Sequence, residues 1–150
     1  MEDIVVEYDK YKTKILKYLL YKKRTEKEVI QKFSDVVPYD MLEEIIGELK
    51  ENGYIDDKNY IKRAVNEFIS LKNMSLKELE YKLYSKGLEK DLIENYFSEN
   101  RDELEDFEIK SAQNIIIKKQ GTMEADQIIE FLRKKGYKID NIKQALSEVE

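Results

Sequence analysis

The feature that most restricts the fold is a helix–turn–helix signature that occurs three times along the chain. The first copy opens at Thr25 and runs through Glu26, Lys27, Glu28 and Val29 to a turn between Ser34 and Pro38. The second opens at Ser75 and reaches Ser85-Lys86-Gly87-Leu88, and the third opens at Thr122 and reaches Lys134-Lys135-Gly136-Tyr137. The openings lie roughly 47 to 50 residues apart, the period of a helical repeat. A pair of short helices cannot bury its own apolar stripe, so such units are stable only when stacked on neighbours of the same kind.

Local chemistry supports these boundaries. Thr25 with Glu28 and Ser75 with Glu78 both fit the capping box, in which hydroxyl and carboxylate satisfy the free amides of a helix start reciprocally. Thr122 has Ala125 in the corresponding place, which makes that start the weakest. In the later two turns glycine admits a left-handed cap, lysine complements the helix dipole, and Leu88 or Tyr137 is placed to pack back. In the first copy Pro38 ends one helix before the next begins.

Ahead of each signature lies a further helical stretch. Residues 11–23 carry Ile15, Leu16, Leu19 and Leu20 at helical spacing, and residues 59–72 carry Ile61, Val65, Phe68 and Ile69. Residues 104–120 carry Phe107, Ile109, Ala112, Ile115 and Ile116. Almost no segment alternates with period two, and the chain has a single proline. The predicted fold is therefore all-α, an elongated tandem array of three three-helix repeats over residues 1–56, 57–103 and 104–150.

Composition narrows the function. Charged residues reach 39% of the 150, which implies extensive solvated helix surface rather than one thick core. Cysteine and histidine are both absent, so thiolate nucleophiles, histidine bases, disulfides and Cys/His zinc sites are excluded. The Met-Glu-Asp start lacks a basic region followed by an apolar one, and no apolar run approaches membrane-span length. A cytoplasmic protein without membrane association is expected. The net charge of −5 opposes strong unaided binding to a nucleic-acid backbone. Charge is nonetheless distributed in blocks: residues 10–32 are basic, 89–108 acidic and 110–138 basic again. Such blocks are first of all solvated helix faces, and secondly ends suited to DNA or to an acidic partner surface.

The most distinctive string is Glu51-Asn52-Gly53-Tyr54-Ile55-Asp56-Asp57. Gly53 is expected to end a helix over residues 40–52, with Tyr54 and Ile55 packing back and Asp56 capping the helix that follows. No further ligands cluster near the paired aspartates, so capping accounts for them, and no metal, cofactor or catalytic site is expected. Lys22-Lys23-Arg24 and Arg133-Lys134-Lys135 are clustered and exposed by pattern, and are candidate contacts. Tyr18, Tyr21, Tyr81 and Tyr84 lie among Lys17, Lys22, Lys23, Lys82 and Lys86, an interleaving that can stack on bases. Half-buried packing is the commoner use of such tyrosines and is expected for most of them.

Gly53-Tyr54-Ile55-Asp56-Asp57, with Tyr60, Lys62 and Arg63 in the helix behind it, resembles the Gly-Tyr-Leu-Asp-Asp segment of RecX regulatory proteins. The turn Leu83-Tyr84-Ser85-Lys86-Gly87-Leu88 and the string Phe131-Leu132-Arg133-Lys134-Lys135-Gly136-Tyr137 are similar to later motifs of that family, in the same order. Asn73-Met74 stands where the family commonly has a glycine. The resemblance implies a non-catalytic, monomeric regulator that lies along the RecA–DNA filament and inhibits RecA's ATPase, strand exchange and coprotease activities in DNA repair and the SOS response. Its implied partners are the RecA filament and single-stranded or duplex DNA within it. Lys62, Arg63, Lys82 and Lys86 join the two basic clusters as candidate contacts; Gly53, Tyr54, Asp56, Asp57, Gly87 and Gly136 form the structural motif. The competing reading is a helix-turn-helix or winged-helix DNA-binding regulator, with Gly53-Tyr54-Ile55 leading into a wing.

Overall fold

The computed structural model describes residues 3–71 and 73–149. Among them are nine helices and no strand: α1 Ile4–Tyr21, α2 Glu26–Phe33, α3 Tyr39–Glu51, α4 Asp57–Leu71, α5 Leu76–Ser85, α6 Lys90–Glu99, α7 Arg101–Lys119, α8 Ala125–Lys134 and α9 Ile139–Val149. The order is that of three helix triplets, α1–α3, α4–α6 and α7–α9. The chain packs as two compact units, Met1–Ile61 with Lys86–Leu88, and Lys62–Ser85 with Glu89–Glu150.

In the first unit Ile15 and Leu19 of α1, Val29 and Phe33 of α2, and Leu42, Ile45, Ile46 and Leu49 of α3 form one apolar core. Leu20, expected on the same stripe, is instead 72% exposed. The helical period carries it past the edge of the buried face. The first helix also starts earlier than its apolar pattern indicates. Asp3 caps it by accepting from the Val5 amide (3.1 Å). Tyr8 Oη and Lys12 Nζ then donate to the two oxygens of Glu48 on α3, at 2.7 and 2.6 Å. Polar ties across the triplet, together with Tyr8 and Tyr11 packed against the core, hold this first stretch.

The predicted turns form with two corrections. Ile55 is buried, but Tyr54 is 43% exposed and does not pack back. The Tyr54 and Gly53 amides donate to the Leu49 and Lys50 carbonyls, a double-bonded helix end that leaves the Tyr54 side chain outside. Asp56 Oδ1 accepts from the Asn59 amide at 3.1 Å, as expected of a cap. Thr122 is not the cap of α8. Glu124 takes that position, and its amide donates to Gln127 (3.1 Å), so the box is shifted by two residues and built from longer side chains.

A shared clasp recurs in both units. Thr25 accepts from the Glu28 amide (3.2 Å) while its hydroxyl donates to the Lys86 carbonyl (2.7 Å). Ser75 accepts from the Glu78 amide (3.0 Å) while its hydroxyl donates to the Lys135 carbonyl (2.7 Å). Both hydroxyls are fully buried. Glycine follows each acceptor because the backbone turns to φ +85° at Gly87 and +99° at Gly136. A β-carbon there would press on Lys27 or Lys77 at 2.7 or 2.8 Å. An acid completes each clasp: Asp57 accepts from the Glu26 amide at 3.0 Å, and Glu108 from the Leu76 amide at 2.6 Å.

Glu108 belongs to the block read from sequence as solvated acid, yet it is completely buried. Its other oxygen accepts from the Lys138 amide and from Asn141 Nδ2, each at 2.9 Å. Beside it Ser111 and Tyr137 share a buried 2.7 Å hydrogen bond. The helix that carries them, α7, is packed by α5, α6, α8 and α9, so it is buried on several sides and has no single apolar stripe.

Burial raises the Tyr137 phenol to about 12, and the nearby Glu78 and Glu108 charges add to this against the Ser111 hydrogen bond. The unfolded chain ionises this phenol near pH 10 while the folded chain does not. The stabilisation is therefore complete below pH 10 and is lost as pH climbs toward 12. We expect urea midpoints to fall over that interval, and to fall less steeply in Tyr137→Phe. Parallel profiles for the two proteins would show that another group governs the alkaline loss; Tyr8, also raised to about 12 by burial and by Glu48, is the next to test.

Candidate partner-binding surface

The cations singled out by sequence divide into distinct environments. Lys22 and Lys23, in the segment after α1, are exposed, as are Lys62 and Arg63 on α4 and Lys134 at the end of α8. Arg133 is exposed but engaged: its Nε and Nη2 donate to the two oxygens of Glu130, each at 3.2 Å. The pairing holds the Glu130 carboxyl below its ordinary range. Lys86 serves mainly through its backbone, as the clasp acceptor for Thr25.

The remaining candidates rest on aromatic rings. The Arg24 guanidinium carbon lies 4.3 Å from the Tyr18 ring centre, with Lys32 Nζ 6.0 Å from the same ring. Tyr18 is held in turn edge-on against Phe33 at 5.5 Å. Lys82 Nζ lies 5.4 Å from the Phe68 ring. Lys135 and Lys119 lie 5.3 and 4.2 Å from Phe131. Sequence reading named Tyr18 but missed Lys32 and Lys119, and did not pair Phe68 or Phe131 with a cation. The signal was present, since Tyr18 and Lys32 are spaced as Phe68 and Lys82 are, but an isolated lysine in a helix carries no mark of the ring across from it.

Tyr21, Tyr81 and Tyr84 are 86%, 73% and 62% exposed, contrary to the half-buried role expected of most such tyrosines; only Tyr18 fills it. Tyr81 and Tyr84 stand on the outer face of α5, where with Lys77, Glu80, Lys90 and Ile93 they line a shallow groove of about 430 Å³. The wing of the competing DNA-binding reading has no counterpart, because Gly53-Tyr54-Ile55 is a turn and no strand exists among the described residues. No group of acids there is arranged to hold a metal ion, and no helix is long and apolar enough to cross a membrane.

No family model matches the chain. It is, however, 35% identical over 136 residues to the regulatory protein RecX of Finegoldia magna, covering 86% of this chain and 66% of that protein. It is 31% identical to the regulatory protein RecX of Staphylococcus carnosus, over all of this chain and 58% of that one. The chain belongs to the RecX family. It spans between 58% and 66% of the length of these two RecX relatives. The fold agrees: a crystal structure of RecX from Lactobacillus salivarius superposes with a TM-score of 0.83 over 97% of this chain and 98% of that one, at 23% identity. A second RecX crystal structure superposes with a TM-score of 0.77 over 91% of the chain, at 21% identity. Of the residues in these motifs, Gly53 and Asp56 form helix ends, while Asp57, Gly87 and Gly136 belong to the two clasps.

Proposed function

We propose that this RecX family protein regulates a RecA-type recombinase by binding its DNA-bound filament and inhibiting ATP hydrolysis, strand exchange and coprotease activity. It acts without catalysis, as a cytoplasmic monomer in DNA repair and the SOS response. The observation that carries this reading is the relationship to regulatory RecX proteins over most of the chain. The repeats 1–56, 57–103 and 104–150 supply successive weak contacts that add by multivalency. Lys22, Lys23, Arg24, Lys62, Arg63, Lys82, Lys86, Arg133, Lys134 and Lys135 are the contact candidates. Basic segments face the DNA or acidic filament surface, and the acidic stretch 89–108, apart from the buried Glu108, faces basic filament surface.

The test is RecA's single-strand-DNA-dependent ATP hydrolysis with the protein titrated in. Inhibition at less than one protein per RecA is expected, because a bound regulator blocks growth or turnover of a run of subunits. Unchanged hydrolysis at excess protein, with no binding to the filament, overturns the proposal.

A further inference from the structure

Two groups stand out among the chain's cations. Lys12, Lys50, Lys90, Arg133 and Lys138 are paired with the carboxylates of Glu48, Glu26, Glu94, Glu130 and Glu105. Arg24, Lys32, Lys82, Lys119 and Lys135 rest on rings and make no ion pair among the described residues. Other cations, among them Lys22, Lys23, Lys62, Arg63 and Lys134, are simply exposed, so what sets these five apart is the ring each one rests on. Arg24 Nε is buried with no acceptor, so no hydrogen bond satisfies that end of its guanidinium.

Ring contact and ion pairing have different consequences for a partner. A carboxylate neutralises a cation; an aromatic face orients it and limits its rotamers while its charge and most of its N–H donors stay available. Each seat also occupies the same place in its triplet, across the first and second helices. Tyr18 of α1 faces Lys32 of α2, and Phe68 of α4 faces Lys82 of α5. In the third triplet the partners are exchanged, with Lys119 on α7 and Phe131 on α8. The residues swap helices while the pair is kept, so the arrangement is a property of the repeat rather than of one conserved lysine position.

We infer that these ring-seated cations are the chain's receptors for carboxylate side chains of a protein partner, one seat per repeat. Phosphate backbones are the poorer fit. Nucleic-acid affinity accumulates from many closely spaced phosphate contacts, whereas here one or two cations recur about every 50 residues in an acidic chain. A polymer of identical subunits presents the same acid repeatedly and so offers one for each seat. The choice of polymer rests on the function proposed above; the choice of carboxylate rests on the seats.

The test compares two triple variants of equal charge. One removes seated cations, Lys82→Gln, Lys119→Gln and Lys135→Gln; the other removes paired ones, Lys12→Gln, Lys50→Gln and Lys90→Gln. Binding is measured to poly-L-glutamate, to oligo(dT) and to the RecA filament at one ionic strength. The seat variant is expected to bind poly-L-glutamate and the filament roughly 30-fold more weakly, about threefold per cation. The control variant is expected to stay within about twofold of the unaltered protein. Equal losses in both variants, or no affinity of the unaltered protein for poly-L-glutamate, overturn the inference. Loss of oligo(dT) binding alone overturns it in favour of phosphate. Seat-dependent binding to poly-L-glutamate with no filament binding by the unaltered protein sustains the carboxylate receptors and defeats the choice of partner.

Discussion

Glu108→Ala is expected to lower the stability of the second unit by about 3 to 5 kcal/mol, the order of loss when three donors around one buried carboxylate lose their acceptor together. The side chain is fully buried and accepts from Leu76 N, Lys138 N and Asn141 Nδ2. Alanine leaves these donors without an acceptor where water has little access, at about 1 to 3 kcal/mol for each donor that stays unsatisfied. Glu108→Gln separates hydrogen bonding from volume. It nearly keeps the shape, but one of the two oxygens becomes an NH₂ that faces a donor, so an intermediate loss is expected. Urea denaturation gives the energies, and amide hydrogen exchange at Leu76 and Lys138 locates them. A loss below about 1 kcal/mol in Glu108→Ala would contradict the role assigned to this carboxylate.

Gly136→Ala is expected to lose about 3 kcal/mol, and Gly53→Ala only 1 to 2, although both glycines have positive φ. Nothing lies within 4 Å of a β-carbon at Gly53, so its cost is the left-handed backbone alone. At Gly136 the new methyl meets Lys77 Cβ at 2.8 Å and Ser75 Oγ at 3.2 Å. Lys77 Cβ cannot swing away as the end of a lysine can, so the turn must retreat and stretch the Ser75-to-Lys135 bond. Thermal or urea unfolding of the two variants measures the difference directly. Equal losses would mean that the turn shifts freely and that the clasp is not a close contact.

The clasp bears on the regulatory reading as well. It supplies the Lys135 carbonyl to Ser75 while the Lys135 ammonium lies against Phe131. One residue thus joins the structural device to the proposed contact surface, which is why the contact variants replace only side-chain charge and leave the glycines in place.

Much of this was legible from the chain alone. The openings and caps at Thr25 and Ser75, the turns at Gly87 and Gly136 and the all-helical order depend on interactions within a few residues, and local chemistry writes those directly into sequence. The third opening, read at Thr122, lies instead at Glu124. The family motifs lie in the same strings. What tertiary structure decided was the meaning of polar residues whose partners are remote. Glu108 reads as one acid in an acidic run until Leu76, 32 residues before it, and Lys138, 30 after it, bring their amides to its two oxygens. Tyr54 reads as a packing residue until the helix end turns it outward. Arg133 and Lys135 read alike; one finds Glu130 on its own helix and the other a ring. Periodicity reports which side of a helix is apolar, but whether a charge is spent, buried or left available depends on what the fold places opposite it.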